Sequence, residues 1–148
     1  MVKIKVAILS DIHGNCVALN EVIKDAKENN VDEFLILGDL VNDLPFGNET
    51  LEIVKGLTNK VLKGNKEQYL IEYDREKYNW ENLQFRTVKF MYNELTKENL
   101  EYIKKLPHCM SVKYEGVKFL IAHGSPESVE EQLHQDDRER LNYYTQDL

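Results

Sequence analysis

Five side chains with metal-binding chemistry stand at the ends of short apolar runs in the sequence. The first run, VAIL, is followed by SDIHGN, which places a carboxylate and an imidazole two residues apart. Carboxylate, amide and imidazole groups suit Mn²⁺, Fe, Zn²⁺ or Mg²⁺ better than thiophilic ions. The carboxyl ends of strands in an open α/β sheet meet at one edge, so side chains there can converge on one ligand. The five candidates are Asp11, His13, Asp39, Asn65 and His123.

Each candidate also has a structural explanation. Asp11 can cap the helix that follows it, and Asp39 can be a turn residue after a strand. Asn65 is of a type common at caps and in left-handed backbone, and His123 can be a hydrogen-bonded core histidine. A metal site is favoured over these structural explanations, because a separate structural explanation would have to hold at each of four strand ends.

The donor set suits two divalent ions rather than one. A carboxylate can bridge two ions about 3.5–4 Å apart, and such a pair can hold one hydroxide and polarise a phosphoryl oxygen. That arrangement serves in-line attack on phosphorus, so the residues themselves point to phosphoester hydrolysis.

The elements that must position these side chains begin with a βαβ unit. Residues 3–10 are rich in Val and Ile and predict a central parallel strand that is covered on both faces. Apolar residues at helical spacing over 17–26 predict a helix with Asn15 as its N-cap. A second strand over 34–37 ends at Asp39, and a short third strand over 60–63 ends at Gly64. The interval between the first two strands predicts a right-handed crossover.

The second half predicts helices and then a hairpin. Residues 51–57 predict a short helix that closes near Gly56, and 68–106 is mostly helical in pattern, with Thr96 capping its last helix. An aromatic-rich stretch around 73–80 connects two helices, and helix packing explains its aromatic side chains better than a substrate cleft does. Residues 110–114 and 117–122 predict a β-hairpin about Glu115-Gly116, and the chain from 127 onward is acidic and helical in character.

Length and composition exclude several classes of protein. The chain of 148 residues predicts one domain, 1–148, with a sizeable core. Its net charge of −7 argues against a nucleic-acid polymer as partner. We expect no leader peptide and no membrane span, since no apolar run approaches about 18 residues. Cys16 and Cys109 form neither a CxxC pair nor a dense disulfide pattern, which favours a cytoplasmic protein with two small apolar cysteines.

Four motifs in this order, SDIHGN, LGDLV, KGNKE and AHGSP, resemble the calcineurin-like metallophosphoesterases over essentially the whole chain. The resemblance is greatest to their small bacterial and archaeal phosphodiesterase branch. It implies an α/β fold of the αββα sandwich type and hydrolysis by a metal-bound hydroxide. It also implies that Asp11 and His13 hold a first metal, that Asp39 bridges, and that Asn65 and His123 hold a second.

The sequence departs from the family pattern in two places. Lys66 follows Asn65 where the family usually has a histidine, and a lysine can contact phosphate but is a poor proton donor at neutral pH. The family's terminal GHxH motif is absent, and His108 and His134, the other histidines, are interpreted as structural. We therefore expect a shortened chain or a domain cut from a longer one, with an open sheet edge, weaker metal affinity and a first metal that is weak or absent.

The resulting prediction is a metal-dependent phosphoesterase that acts on a small phosphorylated substrate. Two divalent ions, Mn²⁺ first and otherwise Fe, Zn, Ni or Mg, would be held by the five candidates, with Asp39 serving both and Lys66 contacting phosphate. The alternative is an inactive or weakened module that binds a metal or a phosphorylated ligand and acts through partners. A third reading is a plain α/β domain whose strand-end residues only cap helices. The open sheet edge also predicts a homo-oligomer.

Overall fold

A computed structural model describes residues 3–73, 79, 81–82 and 85–146. Within these residues the chain forms four strands and six helices. In chain order they are β1 (Val6–Leu9), α1 (Cys16–Glu28), β2 (Glu33–Ile36), α2 (Gly47–Leu57), α3 (Asn65–Ile71), α4 (Arg86–Glu94), α5 (Lys97–Lys105), β3 (Cys109–Tyr114), β4 (Val117–Ala122) and α6 (Arg138–Thr145). No described helix is long and apolar enough to cross a bilayer.

The predicted βαβ unit is present. Strands β1 and β2 pair in parallel, with Val6 opposite Glu33 and Leu9 opposite Ile36. The predicted third strand is wrong in extent, because only Val61 bridges to Ile36. Two backbone bonds flank that bridge, so it is enough to bring the chain before Gly64 next to the end of β2.

Strand β1 is not the covered central strand that its composition predicts. Among the described residues it pairs with β2 alone, and Ile8 is 60% exposed. Val and Ile favour β-strands, but their presence does not show which neighbouring element will cover the strand. The apolar run therefore predicted the strand correctly and its surroundings wrongly.

Helix α1 begins as predicted. The Asn15 side chain accepts a hydrogen bond from the Ala18 N–H, and Leu19, Ile23 and Ala26 lie buried on one face. The crossover helix is thereby fixed on the sheet, and the residues before its cap are left free to form the site.

The helical block supplies most of the core. Buried apolar side chains from α2 to α5 pack against β2 and the residues around Val61. Thr96 caps α5 as predicted, since its hydroxyl accepts from the Asn99 N–H. Helix α2 begins earlier than expected, at Gly47, and ends at Leu57, next to Gly56 as predicted. The predicted connection at 73–80 lies mostly outside the described residues.

The predicted hairpin is confirmed, and the helix predicted from residue 127 is not. Strands β3 and β4 pair antiparallel around Glu115 and Gly116, whose φ values of 49° and 88° are those of a type I′ turn. Residues 127–137 form irregular structure with short turns, and the Ser125 hydroxyl accepts from the Glu127 and Ser128 N–H groups at its start. Helix α6 starts only at Arg138, because local side-chain bonds compete with helix formation in that stretch.

Candidate metal centre

The loops after β1 and β2 bring three potential ligands together. One ligand atom from each of Asp11, His13 and Asp39 lies within 4.8 Å of the others. Nε2 of His13 is 3.6 Å from Oδ1 of Asp11 and 3.8 Å from Oδ2 of Asp39. Two carboxylates and one imidazole therefore face a common point.

The backbone of all three residues is left-handed. Their φ values are 58°, 50° and 52°, in a region that residues other than glycine rarely adopt. Two backbone hydrogen bonds hold the conformation: Asp11 N–H donates to Gly38 O at 3.1 Å, and His13 N–H donates to Asp39 O at 2.9 Å. Strain concentrated at one point, and held by neighbouring structure, is typical of a functional site.

A second group of donors lies on the other side of Asp39. Nδ1 of His123 is 2.8 Å from the Leu37 carbonyl oxygen, so in the neutral ring this nitrogen carries the hydrogen and donates. Nε2 then presents a lone pair, at 3.0 Å from Oδ1 of Asn65 and 3.6 Å from Oδ1 of Asp39. Three lone-pair donors that face one another fit a cation between them.

Asp39 connects the two groups. Its Oδ2 faces His13, while its Oδ1 faces His123 and accepts from the Lys66 N–H at 3.0 Å. The side chain is nearly fully buried, and burial raises the pKa of its carboxyl against the opposing effects of the Lys66 N–H and the two imidazoles. A divalent ion on either side would supply the positive charge that a buried carboxylate needs.

Close packing of two turns sets the position of Asp39. A Cβ added to Gly64 would lie 2.6 Å from the Asp39 nitrogen and closer still to its Oδ1. Gly38, with φ of 95°, lies equally close to Gly64, since a Cβ at Gly38 would lie 2.5 Å from the Gly64 nitrogen. Both glycines are required because the two backbones touch.

Glu67 is a site residue whose role could not be predicted from the sequence. The side chain is fully buried, and its two oxygens accept from four backbone N–H groups. Asp39 and Gly64 donate to Oε2 at 2.9 and 2.8 Å, and Leu40 and Val41 donate to Oε1 at 2.9 and 3.2 Å. One carboxylate thus joins the turn after β2 to the start of α3. Glutamate at the third position of a helix is a capping signal, but its bonds to 39–41 are not visible in sequence.

Lys66 lies at the margin of the centre. Its ammonium is 3.5 Å from Oδ2 of Asp43, a residue that the sequence did not single out. Its backbone N–H is bound to Asp39, so the start of α3 is fixed while the side chain points to the loop after β2.

An open cavity of about 770 Å³ adjoins the ligands. Asp11, Asp39, Asn65 and His123 line it together with the segment 129–134. His134, for which the sequence predicts a structural role, is therefore among its lining residues. His108 instead lies 2.6 Å from the Pro126 carbonyl oxygen through Nε2.

Two of the structural explanations do not describe the observed contacts. The cap of α1 is Asn15, and the Asp11 carboxylate accepts only from the adjacent Ser10 hydroxyl among the described contacts. Asn65 is the first residue of α3 rather than its cap, and its side chain faces His123. Capping therefore does not account for either side chain.

A family model described as calcineurin-like phosphoesterase matches residues 4–148. An uncharacterized protein of Methanocaldococcus jannaschii is 28% identical over 132 residues, which are 88% of this chain and 53% of that protein.

Solved structures give the same family likeness. A metallophosphoesterase from Sphaerobacter thermophilus is 30% identical, with a TM-score of 0.74 over 96% of this chain and 56% of that one. A hypothetical protein from Pyrococcus horikoshii is 27% identical, with a TM-score of 0.77 over 90% of this chain and 60% of that one. The chain thus spans a little over half the length of these relatives.

Proposed function

Because the chain belongs to the calcineurin-like phosphoesterase family, whose members are hydrolases that bind divalent metals, we propose that it hydrolyses a phosphodiester or a phosphomonoester. The observation that carries this proposal is the pair of donor groups that share Asp39, one around His13 and one around His123. A shared carboxylate is the arrangement that two-ion hydrolysis of phosphoesters requires.

Each ligand has a distinct task in the proposal. Asp11 and His13 bind the first ion, Asn65 and His123 bind the second, and Asp39 binds both. Mn²⁺ is the expected metal, with Fe, Zn²⁺, Ni²⁺ or Mg²⁺ as alternatives, since the donors are oxygen and imidazole nitrogen. When bound, two such ions lower the pKa of a water molecule and polarise a phosphoryl oxygen.

Lys66 is proposed to contact the substrate phosphate. Its ammonium is a mobile point charge on a long stem, and its partner in the structure is the half-exposed Asp43. A phosphate bound to the ions would compete with Asp43 for this ammonium. A lysine is a weak proton donor, so substrates with a good leaving group should turn over fastest.

A small phosphorylated molecule is the substrate class that we infer. The cavity beside the ligands, about 770 Å³, is in the size range of small-molecule sites. Glu130 and Glu131 are among its lining residues, and the net charge of the chain is −7, so a nucleic-acid polymer is disfavoured.

Replacement of Asp39 tests the proposal. Asp39→Ala should abolish Mn²⁺-dependent hydrolysis of an aryl phosphodiester and reduce bound Mn²⁺ from two ions towards none, because one side chain serves both ions. Asp136→Ala, which changes an exposed aspartate that is not among the residues lining the cavity, is the matched control. Unchanged hydrolysis in the Asp39 variant would refute the assignment.

A module that binds a metal or a phosphorylated ligand without turnover is the second candidate. The feature that favours it is Lys66, which stands where the family usually has a histidine and is paired with Asp43. Metal stoichiometry separates the candidates: two ions per chain with turnover support the enzyme, and one or none without turnover supports the module.

We also propose that the chain associates with itself and acts in the cytoplasm. An apolar groove between β1 and the hairpin is lined by Ile8 and Phe119, which are largely exposed. Apolar side chains beside an open strand edge favour association. The cytoplasmic assignment has the support of free Cys16 and Cys109.

A further inference from the structure

The loop after β2 is packed directly on His13. Leu44 N–H donates to the His13 carbonyl oxygen at 3.1 Å, and a Cβ added to the neighbouring Gly14 would lie 2.6 Å from Leu44 O. Asn42 and Asp43 have φ values of 80° and 64°, so the loop turns sharply just before this contact. These contacts fix the distance between Asp43 and the imidazole.

The Asp43 carboxylate lies beside Nδ1 of the His13 ring. Its Oδ2 is 3.2 Å from Nδ1, the nitrogen on the opposite side of the ring from the ligand group. Nδ1 is buried and makes no aligned hydrogen bond in the described structure. An unpaired buried N–H costs about 1–3 kcal/mol, so a small rotation of the ring toward this carboxylate is favoured.

The same carboxylate also contacts α3 and α4. Oδ2 is 3.5 Å from the ammonium of Lys66, and Oδ1 accepts from the Thr87 hydroxyl at 3.4 Å. Asp43 thus lies between a candidate ligand of the first ion and the candidate phosphate contact. No other described carboxylate forms an ion pair with Lys66.

We propose that Asp43 is a positioning residue that holds His13 as the Nδ1–H tautomer, with Nε2 free for the metal, and that keeps Lys66 beside the same site. The inference rests on the proposed function, because it assigns His13 to the first ion. Histidines that bind metals commonly donate their other ring N–H to a carboxylate, and loss of that partner costs about 10–100-fold in metal affinity or activity.

The tautomer of His13 is measured first, in metal-free protein, by ¹⁵N NMR of the histidine side chains at a pH where the shifts show neutral rings. We expect Nδ1–H at His13 in the wild type and a shift toward Nε2–H in Asp43→Gly, in which glycine keeps the left-handed conformation. Asp43→Asn retains an acceptor oxygen and should restore Nδ1–H.

Two controls accompany this measurement. Thr87→Ala removes a different bond to the Asp43 carboxylate and should leave the His13 tautomer unchanged. His123, whose Nδ1 is bound to Leu37 O, should remain Nδ1–H in every variant and reports that the fold is intact. A wild-type His13 in the Nε2–H form, or a tautomer unchanged in Asp43→Gly, overturns the proposal.

Calorimetric titration with Mn²⁺ then tests the consequence for the ligand. Asp43→Gly should weaken Mn²⁺ binding about 10–100-fold, and Asp43→Asn should recover part of the loss. Equal affinity in all three proteins overturns the positioning role. If the wild type binds no Mn²⁺ and hydrolyses no phosphoester, the proposed function fails, while the tautomer in metal-free protein still decides the role of Asp43.

Discussion

Gly64→Ala offers a direct test of how the site is built. The φ and ψ of Gly64 are −101° and −169°, which any residue can adopt, so an alanine there brings no backbone strain. Its Cβ, however, would lie 2.6 Å from the Asp39 nitrogen and overlap the Asp39 carboxylate. The effect of the substitution is therefore purely steric and acts on the shared ligand.

The expected magnitude follows from that overlap. Overpacking a buried site costs about 1–3 kcal/mol, and the upper value applies because the clash involves backbone that cannot rotate away. At about 2–4 °C per kcal/mol for a chain of this size, Tm should fall by roughly 6–12 °C. Mn²⁺ affinity should fall as well, since Asp39 can relieve the clash only by moving from both ligand groups.

The control is Gly56→Ala, in helix α2. No atom lies within 4 Å of a Cβ at Gly56, and alanine is favoured over glycine in a helix by about 0.5–1 kcal/mol. Thermal unfolding should therefore give shifts of opposite sign, a rise of about 1–4 °C against the fall for Gly64→Ala. An unchanged Tm together with unchanged Mn²⁺ affinity in Gly64→Ala would refute the close-contact argument.

Three further predictions concern single residues. Burial and the charge of Asp39 raise the pKa of Glu67 to about 7 from its ordinary 4.5, so the folded state binds the Glu67 proton more tightly than the unfolded state does. The stabilisation that this proton gives to the folded state is complete below about pH 4.5 and is lost as pH rises through 7. In metal-free protein that loss amounts to about 3 kcal/mol, and denaturant titrations of Glu67→Gln should lack this part of the pH dependence. Asn15→Ala should cost about 1 kcal/mol in chemical denaturation by removing the cap of α1, and an unchanged midpoint would contradict that role. Phe119→Lys should abolish concentration-dependent association in sedimentation experiments, whereas Val17→Lys, at an exposed position on α1, should not; a wild type that is monomeric at all concentrations would count against the oligomer.

The sequence located the ligands better than it described what holds them. Asp39 and His123 could be found because apolar runs predict strand ends, and strand ends meet at one edge of a sheet. The left-handed backbone of Asp11, His13 and Asp39 could not be predicted, because aspartate and histidine, although enriched in that region, adopt other backbone conformations far more often. The exposure of Ile8 was also hidden, since it depends on which element packs beside β1.

Glu67 and Asp43 show why long-range roles escape a reading of the sequence. Both act on parts of the chain more than 20 residues away, Glu67 through the backbone of 39–41 and Asp43 through His13 and Lys66. A backbone acceptor imposes no residue type on its donors, so nothing near Asp39 marks Glu67 as its partner. An aspartate in a polar loop is equally uninformative, because turns favour it for local reasons.

The ligand loops depend on one another in a fixed order. The turn with Asp11 and His13 is hydrogen-bonded to the backbone of Gly38 and Asp39. The turn that contains Gly38 and Asp39 is itself hydrogen-bonded to the Glu67 carboxylate. Left-handed backbone at a residue other than glycine costs about 1–3 kcal/mol, so each turn keeps its shape only while the next one holds it. A change at Glu67 or its neighbour Gly64 therefore reaches both ligand groups, whereas a change at Asp11 reaches only the first. The residues that shape the centre most broadly are thus ones that would never touch a metal.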